Sequence, residues 1–408
     1  MSSNILAAAA QARRERRFAE AAVLLQAALL EQPNHGPILN ALGLTMLESG
    51  RSDQAIDALS RAATADPKAP PIWLNLAEAY RRSDRAADEI AALDGALAVD
   101  PYLLPALLRK AQAQERMGDG ERAVQTWRNL LAASPPDDSL PEPIRAALAH
   151  GARVVAQADA GRAAILDRSL EPVFAAHPEA DFTRARAYAD HRAGRRKVFV
   201  QQPTAGHFPY LPAIEFFDPA LFPWLSRLES AADTIRSELL NIWTDEAAGF
   251  RPYVQFEAGT PVNQWVDLNH SPAWSAWFMW EDGVRNDEHC RRCPATAALL
   301  DELPLLDLPG KGPTAMFSIL APHTRIPPHT GSSNVRVTIH LPLVVPPSCG
   351  FRVGAETRSW EEGRAWAFDD TIEHEAWNDS GSPRAILIVD AWNPLLSEAE
   401  RSAIRVIG

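Results

Sequence analysis

Apolar positions in the first third of the chain recur at a fixed spacing. Pro33, Pro67, Pro101 and Pro135 stand 34 residues apart. Eight residues before each proline the chain reads Leu25, Leu59, Leu93 and Trp127. Five before, it reads Ala28, Ala62, Ala96 and Leu130. Twelve before, it reads Ala21, Ala55, Glu89 and Ala123. Small residues let helices approach closely, and the larger ones fill the next layer. The pattern predicts four copies of a two-helix unit over residues 1–135. Each copy closes at its proline, as at Asp66-Pro67 and Asp100-Pro101, because the residue before a proline is disfavoured in helix. Residues 136–140 form a polar break. A further helix is expected over 141–168, with Ile144, Leu148, Val154, Val155 and Ile165 as candidate core positions. The basic stretch 184–197 reads as loop, and 136–195 as a helical connector.

A 34-residue period is the tetratricopeptide spacing, in which helix pairs stack into a solenoid with a concave face. Residues 73–80 resemble the first helix of such a repeat. The expected partner of that face is a peptide or protein.

From about residue 198 the pattern changes. Helices are expected at 219–241 and 294–302, and alternating apolar and polar positions then predict strands. Over 314–320, Thr314, Met316 and Ser318 share one face. Over 335–341, Arg336, Thr338 and His340 oppose Val335, Val337, Ile339 and Leu341. Further strands are expected at 351–355, 364–369 and 384–392, with turns at 348–350 and 361–363. Many short strands with polar residues gathered on one face fit a jelly roll that holds a site inside it. The fold class is therefore multidomain α + β: an N-terminal α-helical tetratricopeptide solenoid, then a double-stranded β-helix (jelly-roll or cupin-like) domain over 196–408.

Charge and cysteine content narrow the function. A net charge of −12 argues against nucleic acid and acidic lipid as partners. Cys290, Cys293 and Cys349 are too few for a disulfide framework, and one Cys290-x-x-Cys293 pair without a second is a weak zinc signal. No apolar run is long enough to span a membrane. Arg13, Arg14, Arg16 and Arg17 follow the apolar 7–10 stretch, the reverse of a signal peptide. The expected location is cytoplasmic.

The candidate chemistry lies in the last quarter. His329 precedes Thr330, Gly331, Ser332, Ser333 and Asn334; His374 sits between Glu373 and Glu375; Arg384 follows. Two imidazoles and a carboxylate-binding arginine suit an Fe(II)/2-oxoglutarate oxygenase. Asp369 and Asp370 are expected to cap a turn and orient the site through hydrogen bonds. Glu373 and Glu375 should point away from His374, since neighbours on a strand alternate sides. Trp360 and Trp377 read as core.

These residues, with Ser318, Arg336, His340, Trp360, Gly363, Phe368 and Trp377, resemble the aspartyl/asparaginyl β-hydroxylase family of Fe(II)/2-oxoglutarate dioxygenases over about 200–400. The resemblance implies that His329 and His374 bind Fe(II). Gly331 stands where the usual His-x-Asp/Glu triad has its carboxylate. It implies that Arg384 forks onto the distal carboxylate of 2-oxoglutarate, with Ser318, His340 and Trp274 around the co-substrate, and that Arg336 lies near the substrate. Thr338 and Ala276 replace an arginine and a glutamine of the animal hydroxylases. The implied reaction uses O2 to hydroxylate a C–H bond, at the β-carbon of Asp or Asn in a peptide or protein recruited by the repeats. The alternatives are hydroxylation of a non-peptide substrate such as a lipid acyl chain, and a repeat scaffold with a catalytically silent oxygenase domain.

Overall fold

The computed structural model describes residues 2–136, 140–245 and 249–407. The chain folds as two compact units, Met1–Gly194 and Arg195–Gly408.

The first unit opens with four antiparallel helix pairs: α1 (Ser2–Arg14) with α2 (Phe18–Glu31), α3 (Gly36–Glu48) with α4 (Ser52–Ala65), α5 (Pro70–Arg82) with α6 (Ala86–Val99), and α7 (Leu104–Arg116) with α8 (Gly120–Ala133). Each of the four periodic prolines follows the second helix of its pair. Leu25, Leu59, Leu93 and Trp127 are wholly buried, and so are the small residues of the companion columns. Glu89, the one charge in those columns, is buried and paired with Arg116 at 2.5 Å.

Helix α9 (Glu142–Ala176) then packs its start against the last repeat. Gly151 permits this contact: a Cβ there would stand 2.4 Å from Cε3 of Trp127. The expected core position Ile165 is exposed instead, because only the first part of α9 has repeat helices to lean on. The expected loop after 184 is also corrected. Thr183–Arg192 forms helix α10, held back on α9 by Phe182 against Phe174 (4.6 Å between ring centroids) and by Arg186 over the Phe174 ring. Of the expected polar break at 136–140, residues 137–139 lie outside the described residues.

The second unit is a double-stranded β-helix. Its strands are β1 (Arg251–Pro252), β2 (Trp274–Glu281), β3 (Val284–Arg285), β4 (Ala315–Leu320), β5 (Thr324–His329), β6 (Arg336–Val344), β7 (Cys349–Val353), β8 (Glu356–Ser359), β9 (Trp366–Phe368), β10 (His374–Asn378) and β11 (Arg384–Trp392). The major sheet runs β1-β2-β4-β11-β6-β9, with β3 on β2, and the minor sheet runs β5-β10-β7-β8. All pairings among these strands are antiparallel. From β4 to β11 the chain passes back and forth between the two sheets, which sets the site between them.

The outer face of the major sheet, including Trp277, Phe317, Ile339 and Leu387, is covered by α11 (Leu225–Ser230), α12 (Ala232–Trp243), α13 (Asp287–Arg292) and α14 (Pro294–Glu302). The single helix expected over 219–241 is divided: Pro223 interrupts the run after a short turn at Pro219–Leu221, and Ala231 separates α11 from α12. The turn expected at 348–350 shifts to 347–348, because Cys349 and Gly350 already pair with Asn378 and Trp377. The chain ends in α15 (Glu398–Ile407).

Candidate active site

His329 closes β5 and His374 opens β10, and the two residues are direct cross-strand partners. Their ring centroids lie 4.0 Å apart. Each Nδ1 meets a backbone carbonyl two residues back, Pro327 O at 2.8 Å for His329 and Ile372 O at 3.0 Å for His374. That contact makes Nδ1 the protonated nitrogen of a neutral imidazole and leaves Nε2 as the lone-pair donor. Burial lowers both pKa values; for His374 the neighbouring His329 adds to it. Both rings are thus kept neutral, the form a metal ligand needs. Trp265 meets the His329 ring edge-on at 5.0 Å.

The histidines open into a cavity of about 1220 Å³ between the sheets. Ser318, Arg336, His340, Trp274 and Arg384 line it as well. The two histidines and these five residues named from sequence are therefore brought to one chamber, on facing sheets, whereas Ala276 does not line it.

At one end, Arg384 opens β11 and is 1% exposed. Its Nε and Nη2 meet no hydrogen-bond partner, and Trp360 lies against its guanidinium at 5.2 Å. Burial lowers its pKa to about 10, which leaves it charged at neutral pH. A buried cation with open donors calls for an anion. Trp274 Nε1 donates to Ser318 Oγ at 3.1 Å beside it. His340 stacks on Trp360, and its buried Nδ1 also lacks a partner. Burial, with Arg384 next, keeps His340 neutral. Trp360, read as core from sequence, packs on the core and also forms part of this end.

At the other end, Arg336 donates from Nη2 to Asp370 Oδ2 and from Nη1 to Asp390 Oδ2, both at 2.8 Å. The two carboxylates hold the guanidinium firmly charged. Asp370 also explains Gly331: a Cβ at 331 would fall 2.1 Å from Asp370 Oδ2, and Gly331 N donates to Asp370 O at 2.6 Å. The room beside His329 where a triad carboxylate would begin is already filled. Among the described residues no group of three or more His, Cys, Asp or Glu side chains is arranged to hold a metal ion. A metal here would have two protein ligands.

Residues 229–394 match the family model described as Aspartyl/Asparaginyl beta-hydroxylase, and residues 12–68 and 105–136 match tetratricopeptide-repeat models. The second unit carries an aspartyl/asparaginyl beta-hydroxylase domain. Human aspartyl/asparaginyl beta-hydroxylase is 39% identical over 142 residues, 35% of this chain and 19% of that protein. The ornithine lipid ester-linked acyl 2-hydroxylase of Rhizobium tropici is 34% identical over 186 residues, 45% of this chain and 62% of that protein. The chain therefore spans less than two thirds of these relatives. Among solved structures, the crystal structure of MamA aligns with 38% of this chain and 96% of its own at 18% identity and a TM-score of 0.31, too low to carry an argument.

Two supports of the hydroxylase domain were not read from sequence. The first is a strap, residues 201–208, that ties the two histidine loops together. Gln202 N donates to Thr371 O at 2.7 Å and Thr204 N to Gly331 O at 2.9 Å. Gln201 bonds Asp369, and wholly buried Asn334 bonds Gln201 and both backbone groups of Phe208. Asp369 also accepts from Thr371 N at 3.0 Å, so the expected turn cap is present. The second support is Arg352, which pairs with both Glu373 and Glu375. The carboxylates flanking His374 are thereby held away from the imidazoles, as strand alternation required.

Proposed function

We propose that the hydroxylase domain is an Fe(II)/2-oxoglutarate-dependent dioxygenase that hydroxylates the β-carbon of an Asp or Asn residue in a peptide or protein. One observation carries this reading. A pair of neutral imidazoles on the minor sheet and a buried, under-partnered arginine on the major sheet line the same chamber. In the reaction a C–H bond, O2 and 2-oxoglutarate give C–OH, succinate and CO2, one oxygen atom going to each of the first two products.

His329 and His374 would hold the metal through Nε2. Ferrous iron, when bound, supplies the electron transfer that lets O2 react. Arg384 would take the distal carboxylate of 2-oxoglutarate in a forked pair of charge-assisted hydrogen bonds. The Ser318 hydroxyl and neutral His340 would complete that end, and Trp274 and Trp360 would wall it off from water. The Arg336–Asp370 pair would fix the His329 loop, since Asp370 occupies the space over Gly331. The repeats of the first unit would recruit the peptide or its parent protein.

A second reading, hydroxylation of a lipid acyl chain, is favoured by the apolar stretch of cavity wall at Met316, Ile386 and Ile388 and by the similarity to the R. tropici enzyme.

The test is anaerobic thermal shift with Mn(II) and 2-oxoglutarate on the full chain, followed by aerobic succinate release with Fe(II). Stabilisation by 2-oxoglutarate that needs metal, and its loss in Arg384→Ala, are expected. An unchanged melting curve in wild type would favour a silent scaffold.

A further inference from the structure

The substrate end of the cavity contains more negative charge than positive. Its charged groups are the half-buried Arg336 and the buried Asp370 and Asp390, one guanidinium between two carboxylates. Thr338 stands beside Asp390 in the ladder, on the same face, and brings no charge. The other charged side chains lining the cavity are Arg384 at the opposite end and Glu281, Asp282 and Lys311, which are exposed.

The balance of the loaded site follows, and it rests on the reading proposed above. A divalent cation on neutral histidines offsets the dianionic keto acid. Arg384 and Arg336 offset Asp370 and Asp390. The chamber is neutral before the substrate enters. An aspartyl carboxylate would add an uncompensated negative charge next to two buried carboxylates, and burying an unpaired charge is strongly unfavourable. Hydrogen bonding points the same way. Arg336 Nε is a donor without a partner, and Asp370 Oδ1 an acceptor without one. A carboxamide carries both an N–H and a C=O; a carboxylate carries acceptors alone.

We infer that the side chain this domain accepts is an uncharged carboxamide, that of asparagine, and that aspartate is rejected.

The test uses the full chain loaded with Mn(II) and 2-oxoglutarate without oxygen. N-acetyl-asparagine N-methylamide and the matching aspartate compound are titrated in at neutral pH. Paramagnetic broadening of their β-protons by Mn(II) reports both affinity and proximity to the metal. The asparagine probe should bind about tenfold or more tightly than the aspartate probe. Asp390→Asn, which removes one charge with little change of shape, should narrow that gap. Thr338→Arg should invert it, and Thr338→Val should preserve it. Equal or tighter binding of the aspartate probe in wild type overturns the inference, and so does a lack of broadening with either probe. A protein that fails to take up Mn(II) and 2-oxoglutarate in thermal shift sinks the dioxygenase reading instead, so the two failures are told apart.

Discussion

At the residue scale, Gly331 and the histidine pair explain each other. Gly331 lacks a side chain because Asp370 occupies the space its Cβ would need. Gly331→Asp therefore cannot restore a third ligand. It should displace Asp370, break the Arg336 contact and lower Mn(II) affinity by roughly 10–100-fold, measured by calorimetry. Proton linkage gives a second prediction. Burial depresses the folded-state pKa of His329, His340 and His374 below the unfolded value of about 6.5. The unfolded chain thus binds more protons below that value. Stability from these residues is complete above about pH 6.5 and falls as pH drops toward the lower folded pKa values. Melting temperature against pH should decline in that window, and less steeply in His340→Leu. At Arg384, truncation to alanine should cost about 2–5 kcal/mol of 2-oxoglutarate binding, the usual loss when one partner of a buried ionic contact is removed. Titration of 2-oxoglutarate into the Mn(II)-loaded protein checks it.

At the element scale, a strap outside the family match hydrogen-bonds to both histidine loops within it. Asn334→Leu removes three part-buried hydrogen bonds from a fully buried side chain to Gln201 and Phe208 and should destabilise the second unit by about 2–4 kcal/mol in urea unfolding. Legibility also divides by element. The strand over 384–392 was fully readable, since its ends are marked and its pattern is continuous. β2 was not: Trp274–Glu281 shows no alternation and, unlike β11 with Ile386, Ile388 and Val389, has no β-branched residue to mark it as strand. β5 was hidden by Pro327 and Pro328, residues tolerated only because β5 is a sheet edge. α13 carried a signal that sequence reading passed over: Asn286, whose side chain accepts from His289 N. The histidines, Arg384, Ser318 and Arg336 were legible because each lies within a local motif. The roles of Asp390, Trp360 and Gln201 depend on partners far along the chain, and no local spacing reveals such contacts.

At the scale of the whole molecule, each unit has its own buried core, and the 34-residue columns supply part of the first. Among the described residues no helix is long and apolar enough to cross a membrane. Gly151→Val should drive a branched side chain into Trp127 and destabilise the first unit by about 1–3 kcal/mol. On a calorimetric scan the transition of the first unit should move down while 2-oxoglutarate still shifts that of the second. Movement of both transitions would contradict independent cores.

The cross-strand placement of His329 and His374 has a consequence for turnover in the cell. An ion held between these two rings would act as a removable rivet, fastening edge strand β5 to β10. Ligands that bind only the folded state stabilise it in proportion to their occupancy. With the proposed iron absent, the rivet would be missing and β5 could peel away, so proteases would clear idle copies faster than working ones.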